Sequence, residues 1–460
     1  MHTSYKRNRY TFGLGTIGRD MVFALVNMYL IFYLTDILNL DVNTLWWATG
    51  IMVVLRIFDA VTDPIMGAIV DSTGGKFGRF GKFKPWIAIG AVASGIVTLI
   101  LFFDFGLSGP AFLTVFTIVF FAWGICYSVN DIAFWSMLPN LSTDLKEREK
   151  IGAFARICAL IGLFIVVAGI VPITGLLTDA AGSTAGGFFM FVCILASIKL
   201  LGQLVTLFGV KEPKNMFEVK SERTPLKEMA RVIFKNDQLL WVVIAMGLFM
   251  VGYTTTTAFG IYFFEYIYGD IGMYSIFAII LGISQITSLA LFPLAAKFLA
   301  RKSIYLAATI LVVAGYIIFF FAPTDTMTFI GIGGVLIFIG QAGIQLIMLL
   351  FLADTVDYGH LKLGKRNDST TFSLQPFIYK LGGALSGGIV GATVILSGMQ
   401  EISPGDVMTD EGLLIFRIAM FILPLLCILI GYIICHAKYN IDENKHAEII
   451  KELRAKGEIK

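Results

Sequence analysis

Residues 56–64 read Arg56-Ile-Phe-Asp59-Ala-Val-Thr62-Asp63-Pro64, inside a run, 45–70, that is otherwise apolar enough to cross a bilayer. A charged side chain at that depth costs about 3 kcal/mol on insertion scales, so it is rarely kept without a partner or a task. Asp59 and Asp63 are four apart and share one helix face, with Thr62 beside them. Asp20 and Asp131 interrupt two further apolar runs in the same way. These acids make the run a membrane helix with polar work to do.

Composition extends that reading to the whole chain. Of 460 residues, 57% are hydrophobic and 15% charged, and mean hydropathy is +0.82, which excludes a soluble globular domain. The 47 glycines suit close helix contacts and the 40 phenylalanines suit lipid-facing positions. A net charge of +3 says little, because its distribution matters more than its sum. Cys126, Cys158, Cys193, Cys427 and Cys435 stand in apolar runs without CxxC or CxxxH spacing, so neither disulfides nor a metal cluster is expected. Residues 1–9 are basic and no small-residue cleavage site follows them, so the first run is expected to stay as a helix.

About 20 apolar residues span the hydrocarbon core. Such runs fall at 12–38, 45–70, 86–106, 111–138, 151–177, 186–210, 238–268, 273–298, 303–322, 327–353, 371–397 and 411–435, which gives twelve expected crossings. Lysine and arginine crowd alternate connections: Lys76, Arg79, Lys82 and Lys84, then Lys146, Arg148 and Lys150, then seven between Lys211 and Lys235. Lys297, Arg301 and Lys302, then Lys362, Lys365 and Arg366, and a basic tail continue the series, while the intervening loops hold neither residue type. That asymmetry places both termini on the cytoplasmic side of the cell membrane.

The longest polar stretch divides the chain into a six-helix bundle at 1–210, a cytoplasmic linker at 211–236, a second bundle at 237–436 and a tail at 437–460. The expected fold is an all-α membrane protein of two six-helix bundles, the plan of major facilitator transporters. Gly67-x-x-x-Asp71 followed by Gly78-Arg79 matches a fragment of that superfamily's loop signature, in which Asp71 and Arg79 lock helix ends. The tail, 437–460, reads as a solvated amphipathic helix.

Two carboxylates and a hydroxyl on one face of the second helix make an oxygen-rich niche for a hard monovalent cation or, by mutual repulsion, for a proton. The plain alternative is an internal salt bridge between Arg56 and Asp59. On the fourth helix, Tyr127, Ser128, Asp131 and Trp135 lie within two turns. A carboxylate can bind two sugar hydroxyls and an indole can cover a pyranose face; the alternative pairs Asp131 with Arg156. Asp20 and Asn27 on the first helix are candidate substrate contacts, with Arg19 as a salt-bridge partner for Asp20. Lys380, in an apolar stretch of the eleventh helix, needs a carboxylate or a hydroxylated ligand. Asp354 and Asp357 read as cytoplasmic gate residues, and Lys199 as a side chain that snorkels out of the sixth helix.

Together, residues 56–67, 78–86, 127–139, 147–149 and 353–359 resemble the glycoside–pentoside–hexuronide:cation symporter family, over about residues 8–440. Within it the strings Phe134-Trp-Ser-Met, Lys235-Asn-Asp-Gln and 374–383 look most like the lactose/galactoside and melibiose permeases. The resemblance implies that Asp59 and Asp63 hold the coupling cation, Na+ or H+, with Thr62 and Ser128 adding hydroxyl oxygens. It also implies that Asp20, Asp131, Trp135 and Arg156 line the galactoside cavity and that Lys380 faces it from the second half. The melibiose permease has an amide at the Thr62 position and a threonine at the Ser128 position, so ion choice does not carry over. Many lactose permeases of the group carry a phosphotransferase-like domain after the last helix, and this chain, ending at Lys460, is expected to lack it.

The expected activity is import of a glycoside by cation symport through alternating access, galactosides leading over xylosides, other pentosides or hexuronides. No cofactor beyond the coupling cation and no nucleic-acid partner is expected, and the transporter should be a monomer in the bilayer. An uncoupled facilitator would leave the Asp59/Asp63 pair without a purpose. A membrane enzyme would need a nucleophile, base or metal cluster at an interface, and His2, His360, His436 and His446 all fall at cytoplasmic ends.

Overall fold

The computed structural model describes residues 2–72, 81, 83–141, 145–211, 233–364, 368–399, 402 and 408–456, and every regular element among them is helical. The first compact unit, Met1–Arg223, holds α1 (His2–Met28), α2 (Val42–Ser72), α3 (Lys84–Leu101), α4 (Gly109–Met137), α5 (Leu145–Ala181) and α6 (Thr184–Gly209). The second, Thr224–Lys460, holds α7 (Asp237–Tyr262), α8 (Gly272–Phe298), α9 (Arg301–Phe320), α10 (Met327–Leu363) and α11 (Asp368–Leu396). It continues with α12, which runs Asp410–Lys438 through a π turn at Ile418–Ile422, and a tail helix, α13 (Glu443–Ala455).

Ten of these helices are long and apolar enough to cross a membrane, and α1 with its bent continuation makes an eleventh. The remaining long helix is α2, whose 31 residues include Arg56, Asp59 and Asp63. Twelve membrane segments are therefore consistent with the structure.

The two units repeat one plan. After α1 the chain leaves helical geometry at Tyr29 (φ −120°, ψ 0°), resumes at Leu30–Phe32 and ends in a π turn, Tyr33–Ile37, bent 56° from the first part. In unit 2, α7 runs into the same kind of π turn at Phe263–Ile267, with Phe263 standing 230 positions after Tyr33. Asn8 stands 230 positions before Gln238. Asn8 bonds the Lys211 carbonyl at 3.1 Å and the Lys211 N–H at 2.9 Å, at the end of α6. Gln238 bonds the Lys438 carbonyl at 3.3 Å and the Asn440 N–H at 2.7 Å, at the end of α12. Lys84 donates to the Val210 carbonyl at 2.6 Å and Lys302 to the Tyr439 carbonyl at 2.9 Å, so a lysine at the start of each third helix caps each sixth. Such internal repetition is how many transporter folds are built.

In unit 1 the helices close on aromatic and aliphatic side chains, among them Phe12, Phe83, Ile87, Phe134, Met137 and Ile151. Gly18 lets α1 cross α6 at contact distance, since a Cβ there would meet the Lys199 backbone at 2.4 Å. Two expectations change. Lys199 does not snorkel; it is 0% exposed inside unit 1. The tail helix is not merely solvated, because Ile449 and Leu453 are buried and His446 reaches Asp357 of α10 at 3.1 Å.

Candidate functional site

An aromatic ladder along α4 sets the scaffold in unit 1. Phe112, Phe116, Phe120, Trp123 and Tyr127 stack in sequence at ring separations of 5.5, 5.6, 6.2 and 5.1 Å. Their spacings of four, four, three and four residues keep them on one helix face. Arg56 of α2 lies over two rungs, 5.2 Å from Phe120 and 5.0 Å from Trp123, which holds its charge against a π face.

Beside that ladder the α2–α4 seam gathers oxygens. Asp59 is buried, and the Ser128 hydroxyl donates to Asp63 Oδ1 at 2.7 Å. The Thr62 hydroxyl turns to the Asp59 carbonyl at 3.1 Å, keeping its lone pairs in the same turn. Gly124 makes room: a Cβ there would stand 2.3 Å from Asp59 Oδ1. Carboxylates and hydroxyls are the ligand type that hard cations take. Among the described residues no group of three or more His, Cys, Asp and Glu converges, so the niche rests on two acids with hydroxyls. Asp71's side chain and Arg79 lie outside the described residues.

One turn along α4, the second cluster forms around Arg19. Its guanidinium binds Asp20 at 2.9 Å and Asp131 at 3.0 Å. The partner of Asp131 is thus Arg19, and Arg156 instead lies 4.4 Å from the centre of the Trp135 ring. Arg19 also faces Phe134 at 4.7 Å and Trp135 at 5.1 Å. The guanidinium is sealed at 2% side-chain exposure while Asp20 and Asp131 stay 23% and 31% exposed, so the carboxylates keep open edges for an incoming hydroxyl. Among the buried donors of the described residues in this unit that lack a hydrogen-bond acceptor are Arg19 Nη1, whose contact with Asp131 is poorly angled, and Asn27 Nδ2, just before the break in α1. Unsatisfied buried donors are costly, and a hydroxylated ligand is one remedy.

Unit 2 contributes a different chemistry. Lys380 is half-buried on α11. Tyr379 beside it accepts hydrogen bonds from Gln345 at 3.1 Å and Gln375 at 3.3 Å, and Tyr253 accepts from Gln285 at 3.0 Å. A glutamine or tyrosine inside an apolar run carries no periodic signal, so these amide–phenol contacts are not legible in the sequence. At the end of α10, Asp354 pairs with Arg301 and accepts from the Tyr439 hydroxyl at 3.1 Å. His446 of α13 stands 3.1 Å from Asp357 and 3.8 Å from Asp354. Both acids therefore hold α9, α10 and the tail together.

A family model described as MFS/sugar transport protein matches residues 11–443. The chain is 34% identical to the lactose permease of Lactobacillus delbrueckii subsp. bulgaricus over 455 residues, covering 97% of this chain and 72% of that protein. It is 33% identical to the raffinose carrier protein of Pediococcus pentosaceus over 458 residues, covering 97% and 71%. Among solved structures, the nucleoside transporter NupG superposes with a TM-score of 0.63 at 16% identity, covering 94% of this chain and 99% of that one. A D-xylose-proton symporter superposes at 0.61 with 15% identity, covering 94% and 97%. At those identities the structural likeness speaks for the fold alone.

Proposed function

This chain belongs to the MFS/sugar transport protein family, and on that premise we propose that it imports a glycoside by cation symport. It is a multi-pass membrane transporter and not an enzyme. The substrate class is a galactoside such as lactose, melibiose or raffinose, in keeping with the lactose permease and raffinose carrier it is similar to. The protein works as a monomer in the cell membrane with both termini cytoplasmic.

One observation carries the coupling. Ser128 bonds Asp63 at 2.7 Å and Asp131 meets Arg19 at 3.0 Å, and these two α4 residues are one turn apart. A cation held by Asp59, Asp63, Thr62 and Ser128 braces the same helix turn that presents Asp131, Tyr127 and Trp135 to sugar. Asp20, Asn27 and Arg156 complete the contacts in unit 1. Because one helix serves both ligands, each tightens the other, and linkage makes that effect reciprocal. Loaded and empty forms then cross by alternating access, and the cation gradient drives accumulation without covalent chemistry.

The test is equilibrium binding to purified protein of lactose, melibiose, raffinose, a xyloside and a glucuronide, each with and without sodium and across pH. Cation-enhanced binding of an α- or β-galactoside supports the reading. Preference for the xyloside or glucuronide would reassign the substrate, and binding indifferent to every cation would overturn the coupling.

A further inference from the structure

Lys199 sits in the middle of α6 at 0% exposure. Its ammonium donates to the Ser94 hydroxyl of α3 at 2.6 Å and lies 5.4 Å from the centre of the Tyr127 ring of α4. No carboxylate stands within ion-pair range of it among the described residues. An ammonium carries three donors, and the hydroxyl and the π face engage only part of them. Ser94 spends its own proton on the Gly90 carbonyl.

Joining helices does not require that charge. One and two turns along the same α6 face, Gln203 donates to the Gly15 carbonyl at 2.7 Å and accepts from Asn130 at 3.1 Å, and Thr206 donates to the Thr11 carbonyl at 3.0 Å. Neutral groups thus tie α6 to α1 and α4 wherever tying is the whole task. A charge in the span adds about 3 kcal/mol that a glutamine at 199 would avoid. The charge needs a further use.

Tyr127 supplies the connection. Its ring stacks on Trp123 at 5.1 Å and on Phe23 of α1 at 5.2 Å. Its hydroxyl lies in the electrostatic field of Asp131, Arg19, Asp20 and Arg56. The groups whose field reaches Lys199 itself are Arg19, Asp131 and the Cys126 thiol. We propose that Lys199 is a positioning residue of the sugar site: held by Ser94, its ammonium fixes the Tyr127 ring beside the Arg19–Asp131 pair and so sets how Asp131 meets a sugar hydroxyl. This rests on the reading of unit 1 as sugar-binding.

The experiment measures galactoside affinity and counterflow in proteoliposomes for wild type, Lys199→Met, Lys199→Arg and Ser94→Ala. The expected result is a KM raised about tenfold in Lys199→Met and about threefold in Ser94→Ala, with maximal counterflow within about twofold of wild type and most of the affinity recovered in Lys199→Arg. A role limited to helix packing would lower the melting temperature and leave KM unmoved in all the variants, which would overturn the inference. If Lys199→Met fails to fold, Ser94→Ala decides, since it frees the ammonium without removing it. Unmoved variants against a wild type that binds galactoside would overturn this inference alone; a wild type without galactoside affinity would overturn it together with the sugar reading.

Discussion

Replacing Gly124 by alanine perturbs the cation niche without replacing any residue assigned to it. The added methyl would stand 2.3 and 2.5 Å from the two Asp59 carboxylate oxygens and 2.7 Å from the carbon between them. Ordinary contact needs about 3.5 Å, so the carboxylate has to withdraw by about 1 Å. Misplacing an essential group by that much costs up to about 100-fold, or about 2.7 kcal/mol of cation affinity. Helix propensity pushes the other way, since alanine improves a helix interior by about 1 kcal/mol over glycine. The cation-free protein should therefore melt no earlier than wild type, while the cation concentration for half-maximal galactoside binding rises about ten- to 100-fold. The assay is a pair of measurements on one preparation, a thermal melt without cation and a cation titration of galactoside binding. An unchanged titration with the variant folded would refute the placement of the coupling ion against Asp59.

Three further predictions come from other parts of the fold. Arg19→Met strips the counter-charge from Asp20 and Asp131; breaking a buried pair costs 3–5 kcal/mol, and the partial exposure of both acids brings that to about 2 kcal/mol. Thermal melting should show that loss, with Arg19→Lys intermediate. Leu453→Ser removes a fully buried anchor of α13, worth about 2–3 kcal/mol, so amides of 443–455 should exchange faster while those of α10 keep their protection. Asp41 caps α2: it accepts from the Thr44 hydroxyl at 2.6 Å and the Thr44 N–H at 3.1 Å, which hold its carboxyl below the usual range. A depressed folded value stabilises above the ordinary carboxylate pKa and is lost as pH falls through the folded one. Asp41→Ala should therefore cost about 1 kcal/mol at pH 7, and its melting curve should converge with wild type in acid.

What was legible in the sequence follows from what periodicity encodes. Apolar run lengths and the lysine–arginine asymmetry are one-dimensional quantities, so the membrane segments could be counted before any contact was known. Asp59 and Asp63 stood out because i,i+4 spacing and charge at depth are local facts, whereas Ser128 was joined to them only through the family resemblance. The pairing of Asp131 was not, since Arg19 and Arg156 were both available and only the packing of α1 against its neighbours selects Arg19. Lys199 was misread because sequence reports depth in the bilayer and not which way a side chain points; Gly18 brings α1 onto its backbone and closes the route outward. The amphipathic tail announced an apolar face without naming its dock, and the contact of His446 with Asp357 supplies it.

The most direct test of the account is galactoside accumulation in proteoliposomes under an imposed sodium or proton gradient, comparing wild type with Asp59→Asn. Wild type should accumulate galactoside uphill with one of the two ions. Asp59→Asn should abolish accumulation while sparing equilibrative galactoside exchange. Wild-type uptake that follows the sugar gradient alone, or an Asp59→Asn variant that still accumulates sugar, would contradict the account.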